Sequence, residues 1–401
     1  MLDRAWMHRW DCRRRVAAAP GSHDPYHAGF APALRFPPAP SCGACRLAMP
    51  TVSIPALGLQ LAASPDENLL KLLRRHKVPI GWSCKRGECG SCKCVLESGE
   101  VNLSGYQPGA LPQGQREQGL ILACSSRIVG DITLALIDSD DYIEHPQRRL
   151  RCSVLWLREL APEVFALRLG ITHDEDGGGP FVFSAGQYAY LRVRDPQGVW
   201  VGRDFSMAGT PVEAEYDGEL EFHIRRTAGG SFSGLLGSSI VPGSELQLEG
   251  PRGAAYFRPR HQGPLIAVSA GTGLGAMLSV VRTALDNGKT DPVVLYAGFR
   301  HVSEVYGREA MDELERGHAN FRAHVVVEFD AGQGMRGGRV GDALFADVAD
   351  FAASKVYLAG SPAMVESVSN ELLTRGVASR DVHADAFYAP APQAAADDAQ
   401  G

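Results

Sequence analysis

The 401-residue chain predicts a multidomain fold of the α+β and α/β classes. A small β-grasp module comes first, then an antiparallel β-barrel, then a doubly wound parallel sheet. Three observations lead there. A cysteine-rich loop lies among short strands and one leucine-faced helix. A long run of alternating strands with Gly-rich turns follows. From His261 onward buried strands alternate with helices, the pattern of a parallel sheet. The length calls for two to three domains.

Residues 1–48 are rich in Arg, Ala and Pro and lack apolar periodicity, so they read as disordered. Arg13-Arg14-Arg15 precedes only four small apolar residues, too few for a signal-peptide core. The ordered pattern begins at Pro50, so Met49 is read as the true start and the leader as a gene-model artefact. Cys42-Gly43-Ala44-Cys45 is an isolated CxxC without partners.

The β-grasp module is placed at 49–140. Residues 51–61 suggest a hairpin. Ser64-Pro65-Asp66-Glu67 reads as an N-cap, a first-turn proline and a capping-box acid opening a leucine-faced helix that ends before Pro79. Then comes Ser83-Cys84-Lys85-Arg86-Gly87-Glu88-Cys89-Gly90-Ser91-Cys92. With Cys124 downstream, this C-x4-C-x2-C loop has the spacing of a plant-type [2Fe–2S] site. A short loop must aim three thiolates inward, and the fourth comes from a distant segment. Gly87 and Gly90 allow the tight backbone. A zinc loop would want a second C-x2-C pair, and a disulfide cluster an oxidising compartment. Cys94 shares a strand face with Cys92 and reads as a small buried residue. Further strands are expected at 95–101, 119–125 and 128–136.

A linker is placed at 141–147 and the barrel at 148–258. Arg203-Asp204-Phe205-Ser206 lies on one strand. His223-Ile224-Arg225 leads to Gly229-Gly230-Ser231-Phe232-Ser233, where an apparent helix start offers free N–H groups to a phosphate. The parallel sheet is placed at 259–388. Gly271-Thr272-Gly273-Leu274-Gly275 and Gly360-Ser361-Pro362 both follow buried strands, at the ends where such sheets bind ligands. The first lacks the full dinucleotide fingerprint, and no acid closes the second strand near Phe299. Residues 389–401 read as a disordered tail. Phe205, Phe387 and Tyr188 could equally be core aromatics, Met277 and Met364 packing residues, and His223 and His383 structural.

The net charge of −6 leaves no overall basic field for nucleic acid. The longest apolar run, 265–278, is interrupted by glycines and too short to span a bilayer. Nine cysteines, five of them around the loop, suit metal chemistry in a reducing cytoplasm.

Taken in order, the cysteine loop, Arg-x-Phe-Ser with Gly-Gly-x-x-Ser, Gly-Thr-Gly-Leu-Gly and Ala-Gly-Ser-Pro resemble the ferredoxin–NAD(P)H reductase family. More narrowly, the chain resembles reductase components, with an N-terminal ferredoxin domain, of bacterial aromatic-ring hydroxylating dioxygenases and related oxygenases. The resemblance spans about residues 49–388. It implies a cluster held by Cys84, Cys89, Cys92 and Cys124. It implies an FAD domain, with Arg203 at the flavin phosphates, Phe205 on the ring, Ser206 near its N5 atom, and Gly229, Gly230 and Ser233 at the pyrophosphate. In an NAD(P) domain, Gly271, Thr272 and Gly273 would form the nucleotide turn, and Gly360, Ser361 and Pro362 would lie near the nicotinamide. Asp385 and Phe387 would lie beside the flavin, with Ser206, Thr272 and Asp385 at the reacting centre. Phe205 replaces the commoner Tyr, and Ala359 replaces a commoner Cys. NADH is expected as donor, with NADPH the alternative. Electrons would pass through FAD and the cluster to a terminal oxygenase or an intermediate ferredoxin. A reductase for a diiron monooxygenase or a deoxysugar dehydratase is the alternative enzyme. A redox sensor or electron carrier with a vestigial flavin site is the alternative outside enzymes.

Overall fold

The computed structural model describes residues 49–82, 84–137, 142–332 and 335–388. The expected leader with Cys42 and Cys45, the acidic run 138–141 and the expected tail from 389 lie outside the described residues.

The first module is built on β1 (Thr51–Ile54), β2 (Leu59–Ala62), α1 (Leu69–Arg75), β3 (Lys93–Ser98), β4 (Val101–Leu103), α2 (Gln113–Glu117), β5 (Leu120–Leu122), β6 (Ser126–Ile128) and β7 (Ile132–Leu136). Its five-stranded sheet runs β2-β1-β7-β3-β5, with β4 and β6 paired separately. The expected strand at 95–101 is two strands, because Gly99 turns the chain at φ 86°. Val52, Ile54, Leu134 and the α1 leucines Leu69, Leu70, Leu72 and Leu73 form its core, each at most 4% exposed. Each buried leucine contributes roughly 1.5–3 kcal/mol of transfer free energy.

The helix start differs from expectation. Asp66 sits at φ 61°, so helical backbone cannot run through it. The Ser64 N–H does donate to Glu67 at 3.1 Å, but within a tight turn ahead of the helix. Asn68 is the cap: its side chain accepts the Lys71 N–H at 3.1 Å. Its amide also donates to the Cys124 carbonyl at 2.8 Å, fastening α1 to the segment that bears the fourth cysteine.

The barrel comprises β8 (Arg148–Ala161), β9 (Val164–Asp174), β10 (Tyr188–Arg194), β11 (Trp200–Ser206), β12 (Glu219–Arg225) and β13 (Glu245–Arg252). The strands run β11-β10-β13-β8-β9-β12, every pair antiparallel. An antiparallel bridge between Met207 and Phe222 joins the two edges. The segment entering the barrel is pinned: Tyr256 Oη accepts the Ile143 N–H at 2.7 Å, and His145 bonds Ser184 at 2.8 Å.

The third module comprises β14 (Leu265–Ala270), α3 (Gly273–Asp286), β15 (Val293–Phe299), α4 (Arg308–Gly317), β16 (Phe321–Val327), β17 (Arg336–Gly337), α5 (Val340–Asp347), β18 (Lys355–Gly360), α6 (Pro362–Thr374) and β19 (Val382–Ala386). All pairs are parallel, in the order β17-β16-β15-β14-β18-β19. The order reverses between β14 and β18, so a crevice opens at their carboxyl ends. One apolar core on the α3 side takes in Ala185 and Phe257 of the barrel segment, so barrel and sheet share packing. A second core lies under α5 and α6. The first module docks on the same sheet: α2 packs against α6, and Ser379 Oγ donates to Gln118 Oε1 at 2.8 Å.

Candidate redox site

The four cysteines expected as ligands, Cys84, Cys89, Cys92 and Cys124, arrive as two pairs. Cys84 and Cys89 hydrogen bond one another, as do Cys92 and Cys124. The pairing bond from Cys89, with the backbone N–H groups of Arg86 and Glu88 at 3.4 Å, draws Cys84 down to about 5. Cys124 is drawn down to about 7 by Cys92. The Cys124 N–H donates to Cys92 Sγ at 3.4 Å. Among the described residues no three His, Cys, Asp or Glu side chains converge on a single ion. Two thiol pairs lined with N–H donors suit instead a two-iron group, one pair for each iron. Gly87, at φ 73°, has no room for a side chain: a Cβ would lie 2.6 Å from Ser125 Oγ and 2.8 Å from the Gly105 carbonyl. Cys94 is fully buried and pushed up to about 12 by that burial, as a packing residue should be. Lys93, which the sequence reading passed over, is pushed down to about 8 by burial, with the Cys89 and Cys92 charges opposing. The alternation Cys92-Lys93-Cys94, which sets Lys93 on the opposite strand face, was the available signal.

Arg203, Phe205 and Ser206 lie in the last four residues of β11. Phe205 packs on Phe232, ring centroids 5.0 Å apart. The Arg203 guanidinium donates to the Tyr388 carbonyl. Gly229, at φ 75°, has open space around it. Gly230 cannot carry a Cβ, which would meet Ser233 Oγ at 2.5 Å. The expected helix here is a single 3-10 turn, Ser233–Leu235. Ser233 itself accepts the Thr227 N–H at 3.2 Å, so its hydroxyl shapes the turn. An uncovered glycine turn beside an arginine-bearing strand fits a phosphate-bearing flavin nucleotide.

The nucleotide-turn residues stand at the sheet's crevice. Gly271 takes φ 56°, and Thr272 precedes α3 with no side-chain cap bond. A Cβ on Gly273 would overlap the Ala359 carbonyl, and one on Gly360 would lie 2.7 Å from the Ala270 carbonyl. Gly360 lets β18 close on β14, and Gly273 lets the start of α3 close on β18. Ser361 caps α6 from an exposed position, with Pro362 at its first turn. Asp385 pairs with Ala359 in the strand register, and the Phe387 N–H donates to the Gly360 carbonyl at 2.8 Å.

The barrel and sheet sites meet. Ser206 Oγ donates to Asp385 Oδ2 at 2.7 Å. Enclosure pushes the Asp385 carboxyl up to about 6, and the Ser206 bond pulls it back. The cluster loop approaches from the third side: Arg86, bonded to Glu88 at 2.8 Å, lies within electrostatic reach of Asp204 on β11. Sequence reasoning missed two further acids. Glu304 pairs with Arg225, the arginine of the strand before the Gly229 turn, at 3.3 Å close to the Gly271 turn. Asp330, just past β16, accepts the Val302 N–H at 2.7 Å, bringing an acid beside the end of the second strand. That acid comes from a neighbouring strand, so no scan of β15 finds it. Met277 is buried, and His383 stacks on Tyr357. His223 bonds Glu221 and Tyr306.

Three family models match in sequence: a 2Fe-2S iron-sulfur cluster binding domain at 55–129, an oxidoreductase FAD-binding domain at 157–257, and an oxidoreductase NAD-binding domain at 267–370. A Ralstonia reductase component of naphthalene 1,2-dioxygenase/salicylate 5-hydroxylase systems is 35% identical over 83% of this chain and 97% of that relative. The chain belongs to the ferredoxin–NAD(P)+ reductase components of oxygenase systems. The corresponding reductase component of a Pseudomonas putida naphthalene 1,2-dioxygenase system is 34% identical over 81% of this chain and 94% of its own length. Among solved structures, an Amycolatopsis cytochrome P450 reductase superposes with a TM-score of 0.62 at 31% identity, covering 84% of this chain and 98% of that one. This reductase component is therefore an oxidoreductase with 2Fe–2S, FAD and NAD modules. Among its described residues no helix is long and apolar enough to cross a membrane.

Proposed function

We propose that this reductase component takes reducing equivalents from NADH and delivers them singly to an oxygenase, or to an intermediate ferredoxin, of an aromatic-ring hydroxylating system in the cytoplasm. The observation that carries it is the meeting of three modules around Ser206. Asp385 from the nucleotide sheet bonds that hydroxyl, and Arg86 of the cluster loop lies within electrostatic reach of Asp204, two residues away. A flavin held here would supply the conversion between two-electron hydride chemistry and one-electron transfer, which nicotinamide and the cluster cannot make directly.

The chain's own residues hold and orient. Arg203, Gly229 and Gly230 hold the flavin's phosphates, and Phe205 packs against its ring. Ser206 and Asp385 present a hydroxyl–carboxylate pair where the reacting atoms meet, with Thr272 and Gly271–Gly273 seating the nucleotide. Gly360, Ser361, Pro362 and Phe387 wall the nicotinamide side. Cys84, Cys89, Cys92 and Cys124 hold the cluster. Plant-type clusters lie near about −400 mV, below Rieske centres, so delivery runs downhill. The domain division at 49–140, 148–258 and 259–388 belongs to this reading, supported by the separate main sheet that each range carries.

An anaerobic NADH titration followed by absorbance, with flavin and iron assayed on the same sample, tests it. FAD, two irons and bleaching of both chromophores are expected. Missing flavin, or a spectrum that NADH leaves unchanged, would overturn it.

A further inference from the structure

Although the chain is acidic overall, its first module carries a concentrated basic face beside the cluster. Between Glu67 and Glu88 there are six Lys and Arg residues, with His76, and no Asp or Glu. Lys71, Arg74, Arg75, His76, Lys77, Lys85 and Arg86 are all exposed. The exposed residues of α1 are all cationic, because its leucines are turned inward.

Local acids neutralise little of this. Glu67 takes Arg75 at 2.6 Å, and Glu88 takes Arg86 at 2.8 Å. Arg74 and Lys85 instead lie over the Trp82 ring, 3.6 and 4.8 Å from its centroid. That arrangement holds two charges apart from carboxylates while fixing their positions. Lys77 and Lys85 take φ 55° and 59°, conformations that cost a non-glycine residue energy and collect at functional surfaces. The face borders the cluster directly. Trp82 and Lys85 flank the Cys84 ligand in sequence, and Asn68 ties the start of α1 to the Cys124 carbonyl.

We infer that this face, formed by α1, Trp82 and Lys85, is where an acidic electron-accepting protein docks to collect electrons from the cluster. The inference rests on the reductase reading above and deepens it by naming the acceptor's charge. A one-electron carrier must approach the cluster away from the side that Arg86 turns toward β11. The cations steer an acidic partner and set its orientation, an effect on encounter that salt weakens. A tryptophan flanked by cations supplies a recognition centre of the composition interfaces favour.

The test uses the holoenzyme and its Lys71→Glu/Lys77→Glu double variant, with an acidic Rieske-type ferredoxin, basic cytochrome c and neutral menadione as acceptors. In the double variant, KM for the acidic ferredoxin is expected to rise about tenfold at low salt, the difference shrinking as ~0.5 M salt screens the charges. KM for cytochrome c should fall, and menadione reduction should stay unchanged. A change under about twofold for the acidic ferredoxin, or both proteins shifting the same way, overturns the inference. If NADH fails to reduce the wild-type cluster, the reductase reading fails instead. The face is then judged by calorimetric binding of the same ferredoxin, where equal affinity for wild type and double variant overturns it.

Discussion

Ser206 at the end of β11 and Asp385 on β19 are 179 residues apart in the chain and 2.7 Å apart in space, hydroxyl donating to carboxylate. The bond joins the flavin barrel to the carboxyl edge of the nucleotide sheet. Because it stabilises the ionised carboxylate, loss of the hydroxyl should raise the Asp385 pKa further above about 6. A Ser206→Ala enzyme should therefore show its NADH-dependent pH profile displaced to higher pH, with the rate at neutral pH reduced roughly tenfold. An unchanged profile would remove Asp385 from the reacting centre.

The same carboxyl has a stability consequence. Its folded pKa lies above the ordinary 3.8, so the folded state holds its proton more tightly. The associated stability is complete below about pH 4 and is lost as pH rises through about 6. The shift of about two units corresponds to roughly 3 kcal/mol at most. Asp385→Asn should flatten the fall in Tm between pH 4 and 7 and raise Tm at pH 7. A variant that keeps the wild-type slope would contradict the assignment.

The thiols should separate by role. Cys89→Ser should still reduce ferricyanide with NADH while losing electron delivery to a protein acceptor. Cys94→Ser, burying a hydroxyl with no role at the metal, should keep both irons and lose only about 1 kcal/mol of stability. Iron analysis and the visible spectrum distinguish them; loss of iron from Cys94→Ser would make it a ligand.

The glycines should also divide. Gly273→Ala forces a methyl group from the start of α3 onto the Ala359 carbonyl of β18, a backbone atom that has no flexible side chain to swing aside. Gly229→Ala meets open space and bears only the left-handed φ, about 1 kcal/mol. We expect a Tm loss and an increase in KM for NADH from Gly273→Ala well beyond any effect of Gly229→Ala on NADH binding. Equal effects would show that the approach of α3 to β18 is not tight.

Tyr388 places its ring against Gly109 of the first module, and its Oη is buried with no hydrogen-bond partner among the described residues. Removing an unsatisfied hydroxyl relieves a desolvation cost of about 1–3 kcal/mol. Tyr388→Phe should hold or raise Tm; a clear fall would mean that the hydroxyl is bonded in solution.

Local features of this protein were legible from sequence because they are local in cause. The cysteine spacing, the leucine face of α1 and the glycine turns at Gly271 and Gly360 depend on residues a few positions apart. Where local reading went astray, a distant contact had intervened. Asp66 takes its left-handed turn while its N–H donates to the Ile128 carbonyl across the module, which moves the helix start from Ser64 to Asn68. Ser233 closes a single turn by accepting from Thr227, so no long helix forms there. Asp330 reaches the second strand from the third, invisible to any scan of the second alone.

The sequence by itself determined which modules the chain contains and which groups each can hold, since ligand spacing and turn chemistry are written in short segments. Only the tertiary structure decided how they meet. The Ser206–Asp385 bond, the approach of Arg86 to Asp204 and the Asn68 bond that ties α1 to the Cys124 segment join segments whose separation in sequence carries no trace of their distance in space. Burial fixes those relationships, because packing strands and helices together to remove apolar surface from water brings distant polar groups to one place.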